Sequence, residues 1–325
     1  MALKAVVAVY ATHPTCPLAL WVRTSGLTPT RYRRIDSSRK GVRIPAMRKT
    51  LFLVPAATAP RIYTAVKPTA SQVNSTLRRH KLSAKEYERV AKRILKAADE
   101  PRTSKELADV AEIKGQVMSA MLRVLRYEGR LVAIAGDSLM MSAHHYVAAS
   151  AWLAGDLDTG DQDAALAFLA GEYLRAYGPA RVADFAWWAG VPKGKAKMAV
   201  ADHDTIDIGD GLLLPARDEA AFTKDKPVTS SVVLLPKWDA YTMGYAPDGR
   251  ARFVHPDVQK PVYTPIGTGL AGDGNPVILV DGEVVGLWTY THKEGARVEA
   301  FDKLTPKVRK RVDGKLDKIR TFLGA

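Results

Sequence analysis

A repeated order of elements constrains this chain more than any other feature. Ser83 can cap a helix running to about Ala98, and Pro101 closes that region. Thr103 and Glu106 form a capping box that opens a short helix through Val110. Over residues 114–127, Val117, Met121, Val124 and Leu125 share one helical face, with Gln116, Ser119, Arg123 and Arg126 opposite. Residues 129–134 read as a strand, Gly136 and Asp137 as a turn, and residues 139–141 as the return strand. Helix, short helix, helix and two-stranded ribbon is the order of a winged helix, in which one helix faces a groove and the ribbon is the wing.

The order recurs about 70 residues later. Residues 163–177 read as a helix, 181–189 as a short helix after Gly178 and Pro179, and 193–201 as a third. A ribbon over 205–214 follows, turning at Gly209, Asp210 and Gly211. Residues 15–54 fit a first copy less closely: a helix over 30–35, a basic connection, then residues 44–54, where 51–54 form a buried strand ended by Pro55. From about residue 226 the period shortens. Residues 232–235, 277–280 and 283–288 read as strands, with Asp281 and Gly282 as a hairpin turn and a closing helix over 306–323. The expected fold is α+β: winged helices over 1–75, 76–150 and 151–222, then a β-barrel-like domain over 223–325.

Charge points to a partner. The 325 residues carry a net +14, but residues 1–80 alone hold 14 Lys and Arg against a single acid, Asp36. A field that concentrated attracts a polyanion, and nucleic acid is the expected one. A hydrophobic content of 47% and a charged content of 25% exclude a disordered or fibrous chain. No apolar run approaches a membrane span and no secretory signal opens the chain, so a cytoplasmic monomer without a membrane contact is expected. The lone Cys16 excludes a disulfide framework and a cysteine-based zinc site.

Several motifs dissolve on inspection. The glycines of residues 267–272 match a dinucleotide fingerprint, but Asn275, Pro276 and a strand follow instead of a helix, so a loop joining strands is expected. Asp202, Asp204, Asp207 and Asp210 lack the spacing of a calcium loop and read as a solvated wing that repels phosphate. His144 and His145 are adjacent, so a strand would point them to opposite faces. No metal or cofactor is expected.

Five blocks, in order, carry a family resemblance. They are residues 18–23 (LALWVR), 47–55 (MRKTLFLVP), 173–179 (YLRAYGP) running on to Trp187 and Trp188, 234–241 (LLPKWDAY) running on to Gly244 and Tyr245, and 280–282 (VDG) running on to Trp288. Together they resemble the winged-helix DNA-binding proteins of the AlkZ and YcaQ type, bacterial DNA glycosylases and their relatives. The resemblance implies tandem winged helices with a C-terminal β-barrel, and duplex DNA as the partner, held through its phosphates. It also implies a further helix before residue 10, so either a start upstream of Met1 or a first module trimmed at its start is expected.

The glycosylases carry Gln-x-Gln or Gln-x-Asp where this chain has Tyr10, Ala11, Thr12, His13 and Pro14. The stretch resembles a His-Ala-Thr branch of the family, with Tyr for His. Tyr10, Thr12 and His13 are therefore the candidate catalytic residues. Excision of a cationic alkylpurine needs a positioned water and an anionic or amide oxygen near the developing oxocarbenium ion. Residues 10–14 supply neither carboxylate nor carboxamide, and Asp36 is read as lying in a basic loop. Candidate DNA contacts are Arg23, Arg43, Arg48, Lys49, Arg123 and Arg126, with Arg130, Lys193, Lys195 and Lys197 as further basic positions. The expected function is a DNA-binding protein on a glycosylase scaffold that recognises or repairs alkylated DNA. The alternatives are a regulatory or architectural DNA-binding protein, or one that sequesters a DNA-damaging metabolite.

Overall fold

The caps foreseen from local sequence form. In the computed structural model, which describes residues 2–266, 269–291 and 293–324, the Ser83 hydroxyl accepts from Glu86 N and starts the Ala84–Ala97 helix. Thr103 does the same for Ser104–Ala111, and Gly115–Tyr127 follows. Thr305 caps Pro306–Leu323, with Pro306 at the first turn and Gly324 left-handed just past the end. Each cap satisfies backbone groups that the helix itself leaves unpaired.

Among the described residues, six strands form the largest sheet. Its order is Val9–Tyr10, Leu51–Pro55, Gly41–Pro45, Leu131–Ala135, His144–Ala148 and Arg102–Thr103. The pairing of Arg43 with Ala133 joins the first quarter of the chain to the second. The return strand of the second ribbon is His144–Ala148, not residues 139–141. The Ser138 hydroxyl accepts from Met140 N and Met141 N, each at 3.1 Å, and this local turn competes with a ladder. In the first quarter the helix runs Pro29–Ser37 behind a Thr28 cap, and residues 41–55 form a hairpin. Asp36 therefore lies on a helix and not in a loop.

The Gln162–Tyr177 helix is the centre of the molecule. It packs on the Ala59–Val66 helix, and on Lys193–Ala201 from its own module. Its Tyr173 hydroxyl donates to Gly244 O at 2.8 Å, while Tyr245 donates back to Tyr177 O at 3.0 Å. These bonds dock the C-terminal third on the centre. That third does not close into a barrel. Among the described residues it is an open antiparallel sheet in the order Gly295–Ala300, Glu283–Thr291, Val277–Val280 and Val232–Leu235, with a separate hairpin of Tyr263–Ile266 and Gly269–Gly274. The Pro306–Leu323 helix covers the sheet with Val312, Leu316, Ile319 and Phe322, so the sheet need not curl to bury its apolar face. The fingerprint-like glycines run into strand Gly269–Gly274; the expected loop at residues 267 and 268 lies outside the described residues.

Candidate nucleic-acid interface

The hairpin turn at residues 47–50 is strained. Thr50 N donates to Met47 O, and the two residues between, Arg48 and Lys49, have φ of 52° and 60°. A left-handed backbone costs a non-glycine residue about 1–2 kcal/mol. The turn is held from outside by Gly190, itself left-handed at the end of the Val182–Ala189 helix. A Cβ on Gly190 would meet the Arg48 backbone at 3.1 Å, so the close approach requires glycine. The result aims Arg48 across a cleft. Its guanidinium lies 4.1 Å from the Trp187 ring centroid and donates to the Tyr10 hydroxyl.

Other segments meet it there. The Arg250 guanidinium lies 5.0 Å from the Trp187 ring and 3.7 Å from the Tyr263 ring. The Tyr10 ring sits 4.3 Å from Phe52 and 6.0 Å from Trp238. Burial raises the pKa of Tyr10 despite Arg48, so its hydroxyl stays protonated. Trp238 is itself left-handed, with φ of 54°, an outlier for a bulky side chain. Its indole N–H donates to Asp273 Oδ1 at 2.8 Å, and Lys237 Nζ lies 3.2 Å from Asp273 Oδ2. Thr12, Pro14, Lys237, Trp238 and Trp288 line an adjoining, mostly apolar cavity of about 210 Å³. Arg48, Lys49 and Trp238 thus place three strained positions around one cleft, a clustering typical of functional sites.

His13 faces the other way. Its Nδ1 lies 2.8 Å from Ser138 O, a pure acceptor, so Nδ1 carries the proton and Nε2 accepts from the Tyr32 hydroxyl at 2.9 Å. The backbone N–H of His13 donates to Ser142 Oγ at 2.7 Å. Arg43 donates to the same Tyr32 hydroxyl and pairs with Asp36. Burial lowers the pKa of His13 to about 4, and burial with the nearby Arg43, Arg126 and His13 lowers that of His144 to about 3. Both rings are neutral in the fold. The unfolded chain binds protons below the ordinary value of 6.5, while the folded chain refuses them until about 4. Stability is therefore complete above pH 6.5 and declines as pH falls toward 4. The melting temperature is expected to be lower at pH 5 than at pH 7, and His13→Gln should reduce that difference; equal melting temperatures at the two pH values would contradict this assignment.

A family model for AlkZ-like DNA glycosylases matches residues 3–322. The chain belongs to the AlkZ-like DNA glycosylase family. The solved structure of DNA glycosylase AlkZ from Streptomyces sahachiroi superposes with a TM-score of 0.75 at 19% identity, covering 99% of this chain and 90% of that one. A search of curated proteins gives no match.

Seen against the AlkZ-like family, the sequence candidates separate. Tyr10 and Arg48 come together at the cleft, with Lys49 half-buried next to Arg48, and Thr12 lines the adjoining cavity. His13 borders the cavity but has both ring nitrogens engaged. Arg43 is corrected: it is fully buried in a central strand and ion-paired with Asp36, so it cannot reach a phosphate. Arg23 grips the buried Asp239 through two bonds of 2.8 and 2.6 Å, tying residues 18–23 to the C-terminal third. Arg126 is half-buried against Tyr146 and donates to Leu122 O, whereas Arg123, Lys193, Lys195 and Lys197 are exposed. Sequence reasoning missed Trp187, Lys237, Trp238, Arg250 and Asp273. Trp187, Lys237 and Trp238 lie in the blocks that carry the resemblance; Arg250 and Asp273 have no local signal.

Proposed function

We propose that this protein binds duplex DNA bearing bulky, cationic N7-alkylpurines at the cleft between Tyr10, Arg48, Trp187 and Trp238. One observation carries the reading: Arg48 and Arg250 are interleaved with the rings of Tyr10, Trp187, Trp238 and Tyr263. The Arg48 guanidinium suits a phosphate and aromatic faces suit a cationic base, while the buried Arg250 packs between the Trp187 and Tyr263 rings and holds them in place. The modules over residues 1–75, 76–150 and 151–222 act as winged helices in this reading. The ribbon strands Leu131–Ala135 and His144–Ala148 beside Gly115–Tyr127 support the second. In this reading the protein works on DNA in the cytoplasm as a monomer; among the described residues no helix is long and apolar enough to cross a membrane. The motif positions carry Tyr10 and Thr12, neither an acid nor an amide, and this favours recognition over rapid excision.

The test compares two duplexes that differ by one N7-benzylguanine, titrated by fluorescence anisotropy. A cation on aromatic faces is worth about 1–2 kcal/mol, so the lesion duplex is expected to bind about tenfold more tightly. Equal affinities would remove the lesion from the proposal and leave plain DNA binding.

A further inference from the structure

The motif stretch lacks an anionic oxygen, but the fold brings one to it from far along the chain. We propose that Asp273 is a catalytic carboxylate that faces the deoxyribose of a lesion held in the cleft. Three observations converge on it. First, Trp238 bridges the two parts: its ring neighbours Tyr10 at 6.0 Å, and its indole N–H fixes Asp273 at 2.8 Å. Second, Trp238 and Lys237, the two groups that hold Asp273, line the same cavity as Thr12. Third, the other acids of this region are locked away. Asp239 is buried under Arg23, and Asp184 is buried under Arg181 and Arg252. The Asp273 side chain stays 28% exposed, with Oδ1 held by Trp238 and Oδ2 by Lys237, and its charge is felt at Tyr10.

The chemistry follows from that placement and rests on the lesion-binding reading above. An N7-alkylated purine leaves with the electron pair of the C1′–N9 bond, which neutralises its positive charge. Positive charge builds on the sugar ring, and the Asp273 carboxylate stabilises it. Thr12 holds a water whose oxygen forms the new bond to C1′, and the proton of that water passes to Asp273 and then to solvent. No metal, oxidant or further reactant is needed. Lys237 and Trp238 are positioning residues that fix the carboxylate without touching the sugar.

The experiment is single-turnover base release from the N7-benzylguanine duplex, with the dissociation constant measured on the same duplex. Asp273→Asn keeps an acceptor for the Trp238 N–H and removes the charge, together with the half-exposed ion pair to Lys237. Its release rate is expected to fall about 100-fold while affinity and melting temperature stay within twofold and a degree or two of wild type. Asp273→Glu is expected to recover part of the rate. Release by Asp273→Asn at the wild-type rate overturns the proposal, and so does a wild-type protein that binds the duplex tightly and releases no base. A wild-type protein that does not bind the lesion duplex overturns the functional reading itself.

Discussion

Asp36→Ala is expected to lower the unfolding free energy by about 3–5 kcal/mol, the usual cost of stranding a buried charge. Arg43 sits in the middle of the Gly41–Pro45 strand, where every residue is buried, with Leu53 paired on one side and Ala133 on the other. Its guanidinium cannot shed its proton, because the Asp36 and Tyr32 beside it hold its pKa above the ordinary value against the pull of burial. Removing Asp36 leaves that charge with only the neutral Tyr32 hydroxyl and Cys16 thiol beside it. The pair Asp36→Leu with Arg43→Met should recover most of the loss, since two apolar side chains of similar volume avoid the desolvation penalty of both ions. Guanidinium denaturation midpoints of the two single variants and the double variant measure this. A double variant no more stable than Asp36→Ala would contradict the account. Because Arg43 is inside, Arg43→Met with Asp36→Leu should also leave the salt dependence of DNA binding unchanged.

DNA affinity is expected to fall about 100-fold when salt is raised fourfold, the loss given by releasing the counterions of roughly four phosphates. The charge of residues 1–80 motivates this, and the fold refines which cations count. Arg48→Ala and Lys49→Ala together are expected to reduce affinity about tenfold or more and to flatten the salt slope by about one to two units. Lys193→Ala, Lys195→Ala and Lys197→Ala together should cost less than about threefold, because their module also carries Asp202, Asp204, Asp207 and Asp210, which repel the same phosphates. Arg48 lies in a strained turn gripped by Gly190, stacked on Trp187 and bonded to Tyr10, so the loss at that position includes the geometry of the cleft as well as one charge. Titrations at several salt concentrations separate the two. Equal losses at the two sets of positions would contradict this ranking and show that the lysine helix meets the backbone of DNA as much as the hairpin turn does.

Much of the candidate site was half visible. Tyr10 and Thr12 were singled out by the resemblance, and Arg48 and Lys49 by charge within a matching block. Arg43 carried the same local signature as Arg48, a cation near an apolar run in a basic stretch, yet one is buried and the other lines the cleft. The difference lies in the hairpin. Arg43 falls on a strand flanked on both sides, and Arg48 falls on the turn that the strand leads into. Likewise the acid nearest to residues 10–14 in sequence, Asp36, is locked to Arg43, while Asp273, more than 250 residues away, is held by the Trp238 that neighbours Tyr10.

Elements defined by bonds between close neighbours were settled by the sequence alone. The Ser83 and Thr103 caps, the Lys193–Ala201 and Pro306–Leu323 helices and the Asp281–Gly282 turn each depend on residues within a turn or two of one another, and all stand where the residue pattern puts them. The concentration of positive charge in the first quarter is likewise a property of the chain whatever its fold. Tertiary structure decided what depends on partners remote in sequence. The pairing of Arg43 with Ala133 fused two expected modules into one sheet, and a covering helix left the C-terminal sheet open where closure was expected. The cleft itself is built from Tyr10, Arg48, Trp187, Trp238 and Asp273, whose approach is set by which apolar faces bury one another. That choice minimises exposed apolar area over the whole molecule, and no short window of residues contains it.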